Sequence, residues 1–218
     1  MFKIIAISAL AALAQCGTVG VEAWPALHLF TTFKTDASVF TWDGSKLTPF
    51  KDVTATLKVD GDRNKIKIDA KVSIPLVGKV NAEVLADLTE GMAYEYVPFL
   101  GLCQKTPLNV TLQLKDVLQK VYSPNGGITT YDGESTAPWD NTKMYKFHGQ
   151  GPDAVVSAYF DETQENGKWI QETPTDPKNP AVVVSIPNGE VQATFTDADF
   201  VISGCSKFET EKRINIWA

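Results

Sequence analysis

The sequence predicts a mainly β protein, an antiparallel sheet with one or two small helices. Three observations predict it. Between Lys51 and Thr106 apolar side chains recur at every second position, first Val53, Ala55, Leu57 and Val59, then Ile66, Ile68, Ala70, Val72 and Ile74, then Val80, Ala82, Val84, Ala86 and Leu88. A period of two puts these on one face of a sheet, with the lysines and aspartates between them on a wet, charged face. Turn-forming residues, Gly61-Asp62-Arg63-Asn64 and then Pro75 and Gly78, break the runs at hairpin spacing. A helical spacing is read at one place, Leu114, Val117, Leu118 and Val121.

Composition bounds the rest. The chain has 218 residues, 44% of them hydrophobic and 21% charged, enough for a sizeable core and unlike a disordered chain. The formal net charge of −6 argues against nucleic acid or an anionic membrane surface as a partner, since both need a basic face. Met1-Phe2-Lys3 followed by the uncharged apolar run Ile4 to Ala14 reads as a secretory signal peptide, too short to span a bilayer. Val21 and Ala23 suit the −3 and −1 positions of a cleavage site before Trp24, with cleavage nearer Cys16 as the alternative. The expected organisation is a signal peptide, 1–23, and a single β-rich ligand-binding domain, 24–218, exported to an oxidising compartment and without an integral membrane span. Cys16 leaves with the signal; as a lipidation site it has Gln15 where a small residue is required. That leaves Cys103 and Cys205 as an even pair in a secreted chain, expected to form a disulfide. They stand 102 residues apart, for which loop-closure entropy gives at most ~4–5 kcal/mol.

Taken in order, Trp24-Pro25 opens an apolar segment to Phe33, and Ser38 to Trp42 is a strand ended by Asp43-Gly44. Ser45 to Asp52 is a short extended piece, and the meander follows, ending at Tyr94, Tyr96 and Cys103. Asn109-Val110-Thr111 is a glycosylation sequon, with Asn109 the acceptor. Leu114 to Val121 is the expected helix, and the stretch from Ser123 to Asn141 is polar and turn-rich. Strands are expected at Met144–Phe147, Ala154–Phe160, Trp169–Ile170, Ala181–Ile186, Glu190–Thr196 and Asp199–Ser203, then a charged tail from Lys207.

Motifs of known chemistry are weak. Asp60-Gly61-Asp62-Arg63-Asn64 begins like a calcium loop, but Lys65 replaces the glycine and Lys71 the bidentate glutamate, so it reads as a hairpin turn. Gly149-Gln150-Gly151-Pro152-Asp153-Ala154 has dinucleotide-fingerprint spacing, yet β-rich residues follow it where a helix must start. His28 and His148 allow a Ser-His-Asp arrangement by count, without a nucleophile elbow, and Asp161-Glu162 is a carboxylate pair whose separation from other acids decides its use. No catalytic residue, metal ligand or cofactor is assigned. Trp42, Tyr94, Tyr96, Phe147, Tyr159, Phe160, Trp169 and Phe195 fall on expected strands, as core packing or as the lining of a cavity on a curved sheet.

The path from Thr41 to Leu108 resembles the ependymin family. The features are Trp42-Asp43-Gly44, the strand into Val59-Asp60-Gly61-Asp62-Arg63-Asn64-Lys65-Ile66, and Glu90-Gly91-Met92-Ala93-Tyr94-Glu95-Tyr96 followed by Cys103-Gln104-Lys105-Thr106-Pro107-Leu108. Cys205 matches the family's late cysteine, although Ser206 stands where proline is usual and family members carry more cysteines. The resemblance implies a fold similar to LolA-type lipoprotein carriers, a strongly curved antiparallel sheet or half-open barrel whose small helices cap a hydrophobic cavity. It also implies a secreted or lysosomal glycoprotein that binds a lipid or other hydrophobic small molecule, often as a homodimer and with calcium association. The expected lining is Ile66, Ile68, Val72, Val84, Ala86, Tyr94 and Tyr96. The expected function is a non-enzymatic carrier or sensor of an apolar ligand. The alternative is an extracellular structural or adhesive β-protein acting through self-association, and a hydrolase comes last.

Overall fold

A computed structural model describes residues 24, 25, 27, 29–108, 112–151, 153–161, 166–202, 204 and 205. The signal segment, Cys16, His28, Asn109 with its sequon, Pro152, Glu162 and the tail from Lys207 lie outside the described residues.

Among the described residues, twelve strands form one antiparallel sheet, curved but not closed into a barrel. They are β1 (Thr32–Trp42), β2 (Leu47–Asp60), β3 (Lys65–Ile74), β4 (Gly78–Asp87), β5 (Met92–Val97), β6 (Leu102–Pro107), β7 (Thr130–Thr136), β8 (Lys143–Gln150), β9 (Ala154–Phe160), β10 (Gly167–Pro174), β11 (Ala181–Ser185) and β12 (Val191–Gln192). The spatial order is β6-β5-β4-β3-β2-β1-β11-β10-β9-β8-β7, with β12 also on β1. Helix α1 (Leu114–Lys120) lies between β6 and β7 in the chain, and 3-10 turns occupy Pro98–Leu100 and Asp197–Phe200.

The β2–β3 and β4–β5 turns are fixed by the same device, an aspartate that caps the turn and pairs with a cation. Asp60 Oδ1 accepts the N–H groups of Asp62 and Arg63, and its Oδ2 pairs with Arg63 Nη1 at 2.8 Å. Asp87 Oδ1 accepts those of Thr89 and Glu90, and its Oδ2 pairs with Lys65 Nζ at 2.9 Å. Each aspartate thus satisfies the turn's free donors with its own side chain. The residues that begin like a calcium loop form the β2–β3 turn.

Period two then distributes side chains to two faces. The cap face, covered by α1 and the N-terminal segment, carries three apolar clusters. Phe33, Val59, Ile66, Ile68, Ala70, Ala86 and Leu88 pack with Leu114. Val39, Val53, Val72 and Val80 follow toward the other end of the same strands. Phe147, Ala158 and Phe160 pack with Trp24, Leu27, Leu29 and Tyr122 across β8 and β9. On the opposite, tail face, Phe195, Phe200, Ile202 and Cys205 cover Leu85, Tyr94 and Tyr96. Farther along that face Ala137, Met144 and Tyr159 pack with Trp139 and Trp169.

Four local expectations are corrected. The second face of the meander is not simply wet: Lys67 is 8% exposed beneath the C-terminal segment, donating to Val201 O and paired with Asp69 and Glu83. Of Asp199–Ser203, residues 199–202 form no strand, because Thr196 and Asp199 form a capping box that starts the 3-10 turn, and Ser203 lies outside the described residues. Of Glu190–Thr196 only Val191–Gln192 pairs, with Lys34 and Phe33. The stretch expected to be loop up to Asn141 contains β7, an outer strand that departs from regular register between Tyr131 and Gly133.

Candidate functional site

The strongest candidate is the apolar floor of β1 to β4 and the lid over it. The floor follows from register. Ile66 pairs with Val59 and Ala86, and Ile68 with Leu57 and Val84, so branched side chains from neighbouring strands form one contiguous surface. The lid is amphipathic. Leu114 is fully buried and Leu118 half-buried against the floor, with Leu108, Leu112 and Phe30 beside them, while Lys115, Asp116, Gln119 and Lys120 point to solvent.

The lid is pinned at its N-terminal end by polar contacts to the β2–β3 turn. Gln113, at the N-cap position, provides no side-chain cap. Asn64 does so from across the chain: its Oδ1 accepts the Leu114 N–H at 2.7 Å and its Nδ2 donates to Leu112 O at 3.0 Å. Asn64 is itself buried, with φ 57°, a left-handed conformation that asparagine tolerates. Lys115 Nζ reaches Asp62 at 2.6 Å. Gly61 makes the approach possible, since a Cβ there would stand 2.8 Å from Thr31 O and 3.1 Å from Lys115 Cα. Beside these pins opens a cavity of about 470 Å³, lined by Phe30, Thr32, Asp60, Arg63, Gln119 and Gln192 among others.

At its other end the lid runs into aromatic packing. Val121 is buried and its carbonyl accepts the Thr129 hydroxyl. Tyr122 meets Phe147 and Phe160 edge-on at 5.1 and 4.8 Å, and burial raises its hydroxyl pKa strongly. Glu190 lies close enough to add to that rise. Its own carboxyl is pushed up to about 7 by desolvation, so a titratable group sits near Tyr122.

The expected lining residues separate into three groups. Ile66, Ile68, Val84 and Ala86 are together on the floor, under the chain's own lid. Val72 shares their face but belongs to the neighbouring valine cluster. Tyr94 and Tyr96 are on the opposite face, which corrects their placement with the isoleucines. Asp87 pairs with Met92 in the β4–β5 hairpin, so even-numbered residues of β4 lie opposite odd-numbered residues of β5: Ala86 faces Ala93, and Tyr94 faces Leu85. The C-terminal segment covers both tyrosines. Gly204 lies so close to Tyr96 that a Cβ there would fall within 2.0–2.4 Å of its ring atoms. Cys103 and Cys205 are joined, Cα to Cα 5.1 Å, tying β6 to that segment. Asn64, Gln113 and the Glu190–Tyr122 neighbourhood were not singled out from sequence. The one available signal was an asparagine in a turn, which states nothing about a helix fifty residues away.

His148 is held by Asp132, Nδ1 to Oδ1 2.7 Å, and Ser157 is its cross-strand partner on the tail face. The three residue types are those of an acyl-transfer triad. Among the described residues, however, no serine–imidazole hydrogen bond completes it, and the cavity beside the lid is not formed by these residues.

Fold and site together define an open, curved antiparallel sheet with one apolar face under a short helical lid. No family model and no curated protein matches the chain. Among solved structures it is similar to an uncharacterized conserved protein from Thermus thermophilus, at 8% identity and a TM-score of 0.47, over 78% of this chain and 83% of that one.

Proposed function

We propose that the protein is an exported, non-enzymatic carrier of one apolar ligand of the acyl-chain class, held between the floor of β1 to β4 and a displaced α1 lid. The observation that carries this reading is the cover. A contiguous apolar floor is closed by a seven-residue helix and its flanking loops, and the helix is pinned by polar groups at its N-terminal end. In the ligand-free state Leu114 and Leu118 occupy the floor. Burying a leucine contributes roughly 1.5–3 kcal/mol and a methylene ~0.8, so an acyl chain of about eight methylenes offsets the withdrawal of both. Specificity for length comes from the extent of the floor.

Displacement of a fluorescent fatty-acid probe tests this. The wild type is expected to bind the probe at one site, and Ala86→Phe, which fills the floor from within, is expected to weaken binding at least tenfold while circular dichroism stays native. No probe response from the folded wild type would overturn the reading.

A second reading, an extracellular structural or adhesive protein acting through self-association, is supported by the two edge strands. Among the described residues, β6 and β7 end the strand order, each paired with a strand on one side. It expects a dimer or larger species at micromolar concentration by light scattering, and a monomer counts against it.

A further inference from the structure

The carrier reading does not use the other end of the sheet, where the fold brings together two copies of one sequence pattern. Ile74-Pro75-Leu76-Val77-Gly78 joins β3 to β4, and Val97-Pro98-Phe99-Leu100-Gly101 joins β5 to β6. Each is a branched residue, proline, two large apolar residues and glycine, with the glycine in the left-handed region, φ 93° at Gly78 and 58° at Gly101. The strands between them are sequential and antiparallel, so both tips emerge at the same end of the sheet. They are offset by two strand spacings, about 10 Å. Leu76 is fully exposed, at 107%, Phe99 is 63% exposed, Val77 46% and Leu100 41%. Together these are four of the six large hydrophobic side chains that stand exposed among the described residues.

We propose that these paired tips dock the protein on a lipid surface, with Leu76, Val77, Phe99 and Leu100 entering the interfacial layer. Shape favours a bilayer over a protein partner. Two narrow turns present protruding side chains and little flat area, whereas a stable protein interface needs roughly 800 Å² from each partner. Local charge also favours it, against the expectation set by the chain's net charge. Lys71 and Lys79 flank the first tip, and no aspartate or glutamate occurs in residues 71–82 or 96–107. The adjoining end of β2 adds Lys51 and Asp52, which cancel. Apolar side chains supply the attachment and the lysines lie level with phosphate headgroups. The four exposed tip side chains belong to none of the apolar clusters on the cap face, so docking and ligand binding are separable.

Co-sedimentation of the full-length mature chain with phosphatidylcholine vesicles, with and without phosphatidylserine, tests the proposal. The wild type is expected to bind both, more tightly with phosphatidylserine and less so as salt rises. Leu76→Ser with Phe99→Ser is expected to reduce partition at least tenfold at unchanged thermal stability, and Lys71→Glu with Lys79→Glu to abolish the preference for phosphatidylserine. Failure of the wild type to bind either vesicle, or equal binding by the serine variant, would overturn it. So would a dimer that the serine variant dissolves, which would assign the tips to a second copy of the chain. Retention of fatty-acid probe by a variant that has lost vesicle binding separates this proposal from the carrier reading.

Discussion

Asn64 is the residue on which the lid's attachment most depends, and substitutions there separate two contributions. In Asn64→Gly the left-handed backbone remains comfortable, but the Leu114 N–H, which is buried, and the Leu112 carbonyl, which is partly buried, lose their partners. Each unsatisfied buried group costs about 1–3 kcal/mol, so a total near 2–4 kcal/mol is expected. Asn64→Ala loses the same bonds and places a Cβ-bearing residue without a compensating side chain at φ 57°, for about 1 kcal/mol more. Asn64→Asp keeps the acceptor for Leu114 but sets a carboxylate against the Leu112 carbonyl. Its deficit is therefore expected to shrink as pH falls and the carboxyl gains a proton to donate. The assay is urea unfolding with the disulfide intact. With a slope of ~2 kcal/mol/M, the glycine variant's midpoint falls by about 1–2 M and the alanine variant's by a further half molar. A glycine variant within ~0.5 kcal/mol of wild type, or alanine and glycine variants of equal stability, would refute the cap geometry.

Other outcomes follow from single contacts. Glu190, with its folded pKa raised to about 7, binds more protons folded than unfolded, so stability is greatest below the unfolded pKa near 4.5. It falls as pH rises toward 7 and is flat above. Glu190→Gln removes that slope in chemical denaturation and gains up to about 3 kcal/mol at pH ~8; a slope unchanged in the variant contradicts the burial. Gly204→Ala forces the C-terminal segment off the Tyr96 ring, costing about 1–3 kcal/mol, and a variant as stable as wild type contradicts that packing. Replacing Cys103 and Cys205 with serine lowers the midpoint by at most ~4–5 kcal/mol equivalent, and thiol titration of the denatured wild type finds neither cysteine free.

The parts of the fold set by local rules were readable in the sequence. The meander declares itself because Val, Ile and Lys alternate without interruption, and its turns contain aspartate and glycine at the positions a hairpin needs. Helix α1 was readable from Leu114, Val117, Leu118 and Val121 alone. Where reading failed, a single residue of register or a distant partner decided. Continuing the even-numbered pattern from Val84 and Ala86 through the β4–β5 turn put Tyr94 and Tyr96 on the wrong face, because the loop length inverts parity and nothing in the strand composition reveals it. β7 escaped because Asp132, Gly133 and Glu134 disguise an edge strand as a loop. Of the site, the floor was legible as an apolar face and the helix as a helix, but the contacts that hold the one over the other were not. The pin at Asn64 joins residues 48 and 50 positions apart, and only the folded chain brings them together.

Native mass spectrometry of the protein, purified without detergent or added lipid and then incubated with a long-chain fatty acid, tests the carrier claim most directly. One acyl ligand per chain is expected, bound by the wild type and lost in Ala86→Phe. A wild type that stays ligand-free, or that binds several molecules equally in both proteins, would contradict it.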